Sequence, residues 1–197
     1  MTGGKASDDT AEEAPSGPRK RMPQPLDAVR LDELALAYVA RFATSAAKLE
    51  RYLARKLRER GWYGEGEPDL AALVRRCVEH GYVDDAAYAR AKGGSLLRRG
   101  YGPRRVRQSL AEAGIDEDTR EAARAGEAAE RHAALALARK RRLGPFGPTR
   151  PGRQQREKQL AAMLRAGHPL DSAREMVDAA SERAAEEWAA ACDDEES

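Results

Sequence analysis

The chain has 197 residues, of which 35% are charged and 5% aromatic, and its formal net charge is +2 at pH 7. Ala, Arg, Glu and Leu are abundant, and these unbranched side chains lose little rotamer freedom in a helix. The composition therefore predicts an all-α protein built from thin helical layers. No apolar run approaches the roughly 18 residues of a membrane span. The two cysteines lie far apart in sequence, so we expect a cytoplasmic protein without a disulfide framework.

Charge is distributed unevenly along the chain. Residues 41–60 carry seven basic and two acidic side chains, residues 81–115 seven and three, and residues 131–158 nine and one. Residues 171–197 reverse the balance, with ten acidic side chains and two arginines. A single charged run is usually a solvated helix face, but three basic segments followed by an acidic one favour a polyanionic or acidic partner.

The predicted elements begin after a tail. Residues 1–28 are rich in Gly, Pro, Ser and charge, and we expect them to be disordered. Helical periodicity starts at Leu31, and Thr44 or Ser45 is predicted to cap a second helix. That second helix has an apolar stripe and an opposite basic face. The basic face carries Lys48, Arg51, Arg55 and Arg58.

A third helix is predicted from Asp69 to His80, where apolar residues recur at the spacing of a one-sided buried helix. Gly61 and Gly81 are suitable stop signals for the second and third helices. Residues 29–80 therefore predict a first three-helix unit.

Residues 81–126 predict a second, basic unit. Its first helix contains Gly93 and Gly94, which each cost up to about 1 kcal/mol relative to Ala, so we expect this helix to depend on packing. Pro103 suits the first turn of the next helix, where its missing N–H would be unpaired anyway. The arginines that we expect to face a partner are Arg90, Arg98, Arg99, Arg104, Arg105 and Arg107.

Residues 127–190 predict a third unit. It is interrupted at 144–152 by three prolines and three glycines, which predict an exposed loop without helix. Two more helices follow, and Trp188 is expected to anchor a last helical turn. Residues 191–197 form a predicted acidic tail.

An internal period connects the three units. Glycines that are predicted to end helices stand at Gly61, Gly114 and Gly167, at intervals of 53 residues. A large apolar residue precedes each glycine by four positions; these are Leu57, Leu110 and Met163. The spacing predicts an elongated, curved array of three tandem three-helix repeats, each of which needs its neighbours to bury its apolar faces.

Catalytic and metal-binding patterns find little support in the sequence. The adjacent Asp84 and Asp85 are better explained as helix N-caps than as an acid–base pair. Gly100–Gly102 lacks the Lys and Ser/Thr of a phosphate loop. None of the histidines has metal-ligand spacing; they are His80, His132 and His168. We therefore expect no enzyme activity, no metal and no cofactor.

Two motifs carry a resemblance to a known family. The helices over residues 35–61 resemble the opening helices of the RecX regulatory proteins. The segment 81–85, GYVDD, followed by Tyr88 and Ala89, is similar to that family's glycine-aromatic-aliphatic-Asp-Asp signature. A second signature is matched by Gly102, Arg105, Val106, Leu110, Gly114 and Ile115. The resemblance extends over about residues 31–180.

The resemblance implies a bacterial modulator of the RecA recombinase that lies along the groove of the RecA–DNA filament and limits ATP hydrolysis and strand exchange. On this hypothesis the protein is a monomer and its partner is the RecA filament, with direct contact to single- or double-stranded DNA also open. The alternative is a helical nucleic-acid-binding or scaffold protein with no recombinase partner.

Overall fold

The computed structural model describes residues 24–192, and every regular element in that range is helical. The all-α prediction is confirmed. Most of the predicted N-terminal tail and residues 193–197 of the predicted acidic tail lie outside the described residues. Within residues 24–192, none of the helices combines the length and the hydrophobicity that crossing a bilayer requires.

Ten α-helices and one 3-10 turn make up the described chain. The helices are α1 Ala28–Arg41, α2 Ala46–Arg60, α3 Leu70–Glu79, α4 Asp85–Arg98, α5 Pro103–Glu112, α6 Glu117–Ala122, α7 Glu127–Arg141, α8 Arg153–Arg165, α9 Leu170–Asp178 and α10 Glu182–Ala190, and the 3-10 turn is Gly144–Phe146. They fall into three groups: α1–α3, α4–α6, and α7–α10 with the 3-10 turn.

Each group surrounds its own apolar cluster. The first cluster includes the fully buried Leu49 and Leu53, and the third includes the fully buried Met163 and Met176. The second cluster is much smaller, with four buried residues: Ala89, Leu110, Ala113 and Ile115. Because so small a core buries little apolar surface, the middle group depends on its two neighbours.

The predicted glycine stops are confirmed. Gly61 ends α2 with φ 78°, Gly114 follows α5 with φ 79°, and Gly167 follows α8 with φ 96°. Positive φ is accessible to glycine at little cost because it has no Cβ. The 53-residue period therefore marks the ends of three corresponding helices, α2, α5 and α8.

The first two groups join where the start of α2 meets the end of α5. The hydroxyl of Ser45, the N-cap of α2, donates a hydrogen bond to the carbonyl of Ala113 at 2.6 Å. The carboxylate of Asp85 accepts from the N–H of Ala46 at 2.9 Å. The contact is tight, because a Cβ on Gly114 would lie 2.3 Å from the Cβ of Ala47.

The second and third groups repeat this arrangement, since the start of α5 meets the end of α8. The N–H of Gly102 donates to the carbonyl of Ala166 at 2.9 Å, and a Cβ on Gly102 would lie 2.4 Å from the carbonyl carbon of Gly167. The three middle helices thus meet end to end, which produces an elongated array.

A short extended segment covers the remaining end of α2. Leu26 is fully buried; its N–H donates to the carbonyl of Gly61 at 2.9 Å and its carbonyl accepts from Tyr63 at 2.8 Å. Asp27 then caps α1. The boundary predicted for the disordered tail, at residue 28, is therefore too late, because burial and backbone pairing of Leu26 outweigh the Pro-rich composition around it.

Two further predictions need correction in the third group. The loop over 144–152 was expected to be exposed and without helix, but Leu143 and Gly144 are buried and a 3-10 turn begins there. Gly144 has φ 56° and donates to the Gln159 side-chain oxygen at 2.8 Å, which fixes the turn in the core. Around Trp188 the structure has a nine-residue helix, α10, rather than a single turn, because its buried alanines pack in the third cluster.

Helix α4 is continuous through its two glycines. Gly93 is buried, and a Cβ there would lie 3.4 Å from a methyl group of Val106. That distance is an ordinary van der Waals contact, so α4 packs directly against α5 at Gly93, which agrees with the predicted dependence of this helix on packing.

Candidate binding surface

The predicted contact residues differ in what their side chains do in the fold. Six of them make a bond or ring contact within the protein; these are Lys48, Arg51, Arg55, Arg99, Arg104 and Arg105. Four of them make no hydrogen bond or ion pair with residues 24–192; these are Arg58, Arg90, Arg98 and Arg107, which we call the free arginines.

Lys48 and Arg51 hold the first joint together. The ammonium of Lys48 donates to the hydroxyl of Tyr88 on α4 at 3.2 Å and lies 5.2 Å from the centre of its ring. The guanidinium of Arg51 donates to the carbonyl of Glu112 at 3.1 Å. Both side chains connect α2 to the middle group, and each uses one of its several N–H donors to do so.

Arg104 occupies the corresponding place at the second joint. Its Nη2 donates to the carbonyl of Leu164 at 2.8 Å, and its backbone N–H donates to the carbonyl of Gly167 at 3.2 Å. A cation at the C-terminal carbonyls of a helix is also favoured by the helix dipole. Arg105 bonds instead to the side chain of Gln108 on its own helix, at 3.0 Å.

Arg55 and Arg99 make only weak surface contacts. Arg55 lies 3.6 Å from the carboxylate of Glu59 and 5.6 Å from the ring centre of Tyr52. Arg99 lies 5.5 Å from the ring centre of Tyr101. Such exposed pairs contribute little to stability. Because both residues are exposed, their guanidinium groups remain accessible to a partner.

The free arginines are all exposed. They lie on α2, α4 and α5, which places them on the first and middle groups of the array. An arginine presents its N–H donors in a planar fork that matches carboxylate and phosphate groups. These four side chains are therefore the part of the predicted set that is best placed to bind an anionic partner.

A surface depression brings two of the predicted arginines together with one that the sequence did not predict. Arg104, Arg107 and Arg120 line an open depression of about 630 Å³ between α5 and α6. Arg120 was not predicted, because it lies on the short helix α6, outside the basic stretch 81–115. Its i, i+3 spacing to Glu117, with which it forms an ion pair, is the local signal for it in the sequence, although only 16% of its side chain is exposed.

Ionisation near this surface is governed by burial and by neighbouring arginines. Burial raises the pKa of the Glu130 carboxyl, and the adjacent Arg124 partly offsets that effect. In the third group, the Arg156 side chain makes two hydrogen bonds to Asp178 and lowers the pKa of that carboxyl. Among residues 24–192, no three His, Cys, Asp or Glu side chains gather in a way that could hold a metal ion.

The geometry defines a helical-repeat protein with an arginine-rich surface. A family model described as "RecX, second three-helix domain" matches residues 84–123, which span the middle group. "Regulatory protein RecX" of Myxococcus xanthus (strain DK1622) is 34% identical over 181 residues, which cover 87% of this chain and 94% of that protein. The chain belongs to the RecX family of regulatory proteins.

A further relative matches a shorter stretch of the sequence, and two crystal structures match the fold. "Regulatory protein RecX" of Pectobacterium atrosepticum is 47% identical over 51 residues, or 26% of this chain and 32% of that protein. The crystal structure of RecX from Lactobacillus salivarius superposes with a TM-score of 0.61 at 18% identity, covering 76% of this chain and 94% of that one. A second RecX crystal structure gives the same TM-score at 21% identity, over 76% of this chain and 72% of the other. These two structures support the fold.

Proposed function

We propose that this protein binds the RecA–DNA filament and lowers its ATP hydrolysis and strand exchange. The observation that carries the proposal is the set of free arginines, which are exposed and unpaired within residues 24–192 of a chain that belongs to a regulatory family. Because the partner is recognised by contact, no catalytic group is required. In this proposal the protein acts as a monomer in the cytoplasm.

The end-to-end joints support binding to a long, repetitive partner. Ser45 and Arg51 fasten α2 to α5, and Gly102 and Arg104 fasten α5 to α8, by hydrogen bonds of 2.6 to 3.2 Å. Hydrogen bonds at both joints restrict the movement of one group against the next. An array of this kind presents cations from its first and middle groups at fixed separations, which suits a filament better than a small ligand.

The proposal divides the predicted residues by role. Arg58, Arg90, Arg98 and Arg107 contact the filament directly. Lys48, Arg51 and Arg104 act mainly through the joints that hold the array in shape. Arg55, Arg99 and Arg105, which make only weak or same-helix contacts, add to the positive field of the surface.

The proposal is tested by ATP hydrolysis. RecA is assembled on single-stranded DNA, and the protein is added at a small fraction of the RecA concentration. We expect hydrolysis to fall under salt conditions in which the protein binds bare DNA poorly. Unchanged hydrolysis at that ratio would contradict the proposal.

A second candidate function is direct binding to nucleic acid without a recombinase. The basic character of residues 41–60 and 81–115 favours it. In that case inhibition would appear only when the DNA is saturated with the protein, and binding would weaken steeply with salt, because phosphate contacts release counterions. The salt series distinguishes the two candidates.

A further inference from the structure

We propose that a cleft between the middle and third groups binds a peptide segment that carries a large apolar side chain next to acidic residues. The cleft has a volume of about 390 Å³ and lies between α5, the link from α6 to α7, and the turn from α8 to α9. The inference goes beyond the recombinase proposal. Of the free arginines only Arg107 lines the cleft, whereas Arg58, Arg90 and Arg98 lie outside it, so the two proposals can be tested separately.

The apolar part of the cleft lining is aliphatic. It is formed by Leu97, Val106, Leu110, Leu164, Pro169 and Leu170. Leu170, at the start of α9, keeps 40% of its surface exposed, so the apolar lining reaches solvent at the edge. Covering such a surface releases water and favours a large apolar side chain.

Two buried polar atoms in the lining have no partner among the described residues. Nε2 of His168 lies 3.0 Å from the carbonyl of Gly100 and donates to it, which makes Nδ1 of the neutral ring an acceptor. His168 is only 3% exposed, and its Nδ1 is unpaired. Nε of Arg120 is a buried donor that is also unpaired. Both atoms are closed off from solvent, so the N–H and C=O of a peptide backbone would pair with them once the side chains of the lining move apart.

Charge at the edge of the cleft favours acidic neighbours for the apolar side chain. Arg124 pairs with both glutamates of the lining, at 3.6 Å from Glu121 and 3.4 Å from Glu130. Within residues 24–192 Arg107 has no ion pair, and the side chain of Arg104 donates only to the backbone carbonyl of Leu164. The edge therefore retains positive charge that two or three carboxylates of a peptide would neutralise.

The same features argue against a nucleic acid as the occupant. Single strands bind protein grooves largely by stacking their bases on aromatic side chains. The residues that line this cleft include no Phe, Tyr or Trp. An apolar peptide side chain fits an aliphatic lining, whereas a base would lose its stacking partner.

The test uses the full chain and a fluorescein-labelled decapeptide of Asp and Glu with a central Leu-Phe pair, followed by fluorescence anisotropy. We expect saturable binding with one peptide per chain. Replacing the Leu-Phe pair by two serines, or all acidic residues by lysine, should each weaken binding at least about tenfold, because an anchor side chain and its charge complement are lost. Absence of saturable binding by the acidic peptide would overturn the proposal.

Protein variants place the peptide in the cleft. Leu170→Asp and Arg107→Glu should each weaken binding about fivefold or more, with unchanged circular dichroism. The matched controls are Val29→Asp, at an apolar residue of α1 that is 68% exposed, and Arg183→Glu on α10, whose side chain is 86% exposed. Both controls should bind like the parent. Equal binding by Leu170→Asp and Val29→Asp would overturn the assignment.

Two further readouts separate the occupants. The ¹⁵N resonance of His168 Nδ1 should shift when the acidic peptide is added, since that atom gains a donor. A labelled oligothymidine should bind Leu170→Asp as well as it binds the parent. If Leu170→Asp instead lost oligothymidine binding and kept peptide binding, the cleft would be a nucleic-acid site and the proposal would be wrong.

Discussion

Arg51 and Arg104 stand 53 residues apart and make similar hydrogen bonds at two successive joints, to carbonyls that stand 52 residues apart. Nη2 of Arg51 donates to the carbonyl of Glu112 at 3.1 Å, and Nη2 of Arg104 donates to the carbonyl of Leu164 at 2.8 Å. Each arginine belongs to the middle helix of one group and reaches the last turn of the middle helix in the next group. The period in the sequence is therefore also a period in how the groups are joined.

Removing one of these arginines should weaken the fold. We expect Arg104→Ala to lower the free energy of unfolding by about 1 kcal/mol, the usual net value of one hydrogen bond. Arg58→Ala is the control, because Arg58 is exposed and unpaired within the described chain. Urea unfolding of the two variants measures the difference. Equal stability of both would show that the Arg104 bond contributes nothing.

Two glycine-to-alanine changes should have opposite effects. In Gly102→Ala the new Cβ would meet the backbone of Gly167 at 2.4 Å, so the second joint must open, at a cost of roughly 2–3 kcal/mol. In Gly94→Ala the nearest atom is the flexible tip of Arg98 at 3.1 Å. Because α4 is helical there, this change should stabilise the protein by about 0.5–1 kcal/mol. Thermal unfolding measures both effects. If the melting temperature shifted in the same direction in the two variants, the difference in packing at Gly102 and Gly94 would not control stability.

His168 should make stability depend on pH. Burial lowers the pKa of its imidazole from 6.5, and the hydrogen bond to Gly100 only partly opposes this. The unfolded chain therefore binds the proton more readily than the folded chain, and protonation favours unfolding. The stability that neutral His168 contributes is present above about pH 6.5 and is lost as the pH falls through the lower folded-state pKa.

The matched variant for this pH effect is His168→Gln, which keeps an N–H donor for Gly100 but does not titrate. Its free energy of unfolding should change less than that of the parent between about pH 7 and 5. The carboxyl of Glu130, which has a raised pKa and acts in the opposite direction, is present in both proteins and cancels in the comparison. If the free energy of unfolding had the same pH dependence in both proteins, His168 would not be the source of the pH effect.

Charge reversal at free arginines should reduce filament inhibition. The double variant Arg58→Glu/Arg98→Glu removes two free arginines that lie outside the peptide cleft. We expect it to need about tenfold more protein for half-inhibition of RecA ATP hydrolysis, because two contacts become repulsive. Arg183→Glu on α10 is the control for the same reversal of charge outside the predicted surface; it also removes an exposed ion pair with Glu187, and it should inhibit like the parent. Full inhibition by the double variant would remove these arginines from the interface.

Local signals in the sequence predicted the helices and their ends. Asp69 and Asp84 cap helices as expected, with side chains that accept from the N–H three residues later at 2.8 Å. Gly114 and Gly167 end helices at positive φ. Caps and stops depend on residues within one helical turn, so a single sequence contains the information needed to predict them.

Contacts between distant residues could not be predicted. Asp85 was considered only as a cap for its own helix, yet its carboxylate accepts from Ala46, 39 residues away. Arg104 was predicted to face a partner but bonds to Leu164, 60 residues away. The basic character of both helix faces is visible in the sequence, whereas the direction of each side chain is decided by which helix packs beside it.

Retention of the protein on immobilised RecA–DNA filaments tests most simply whether it binds the filament. Biotinylated single-stranded DNA is immobilised either bare or coated with RecA and a non-hydrolysable ATP analogue, and the protein is added at the same salt to both. We expect strong retention on the filament at protein concentrations where bare DNA retains little. Equal retention on bare and coated DNA would contradict this expectation and favour a general nucleic-acid-binding protein.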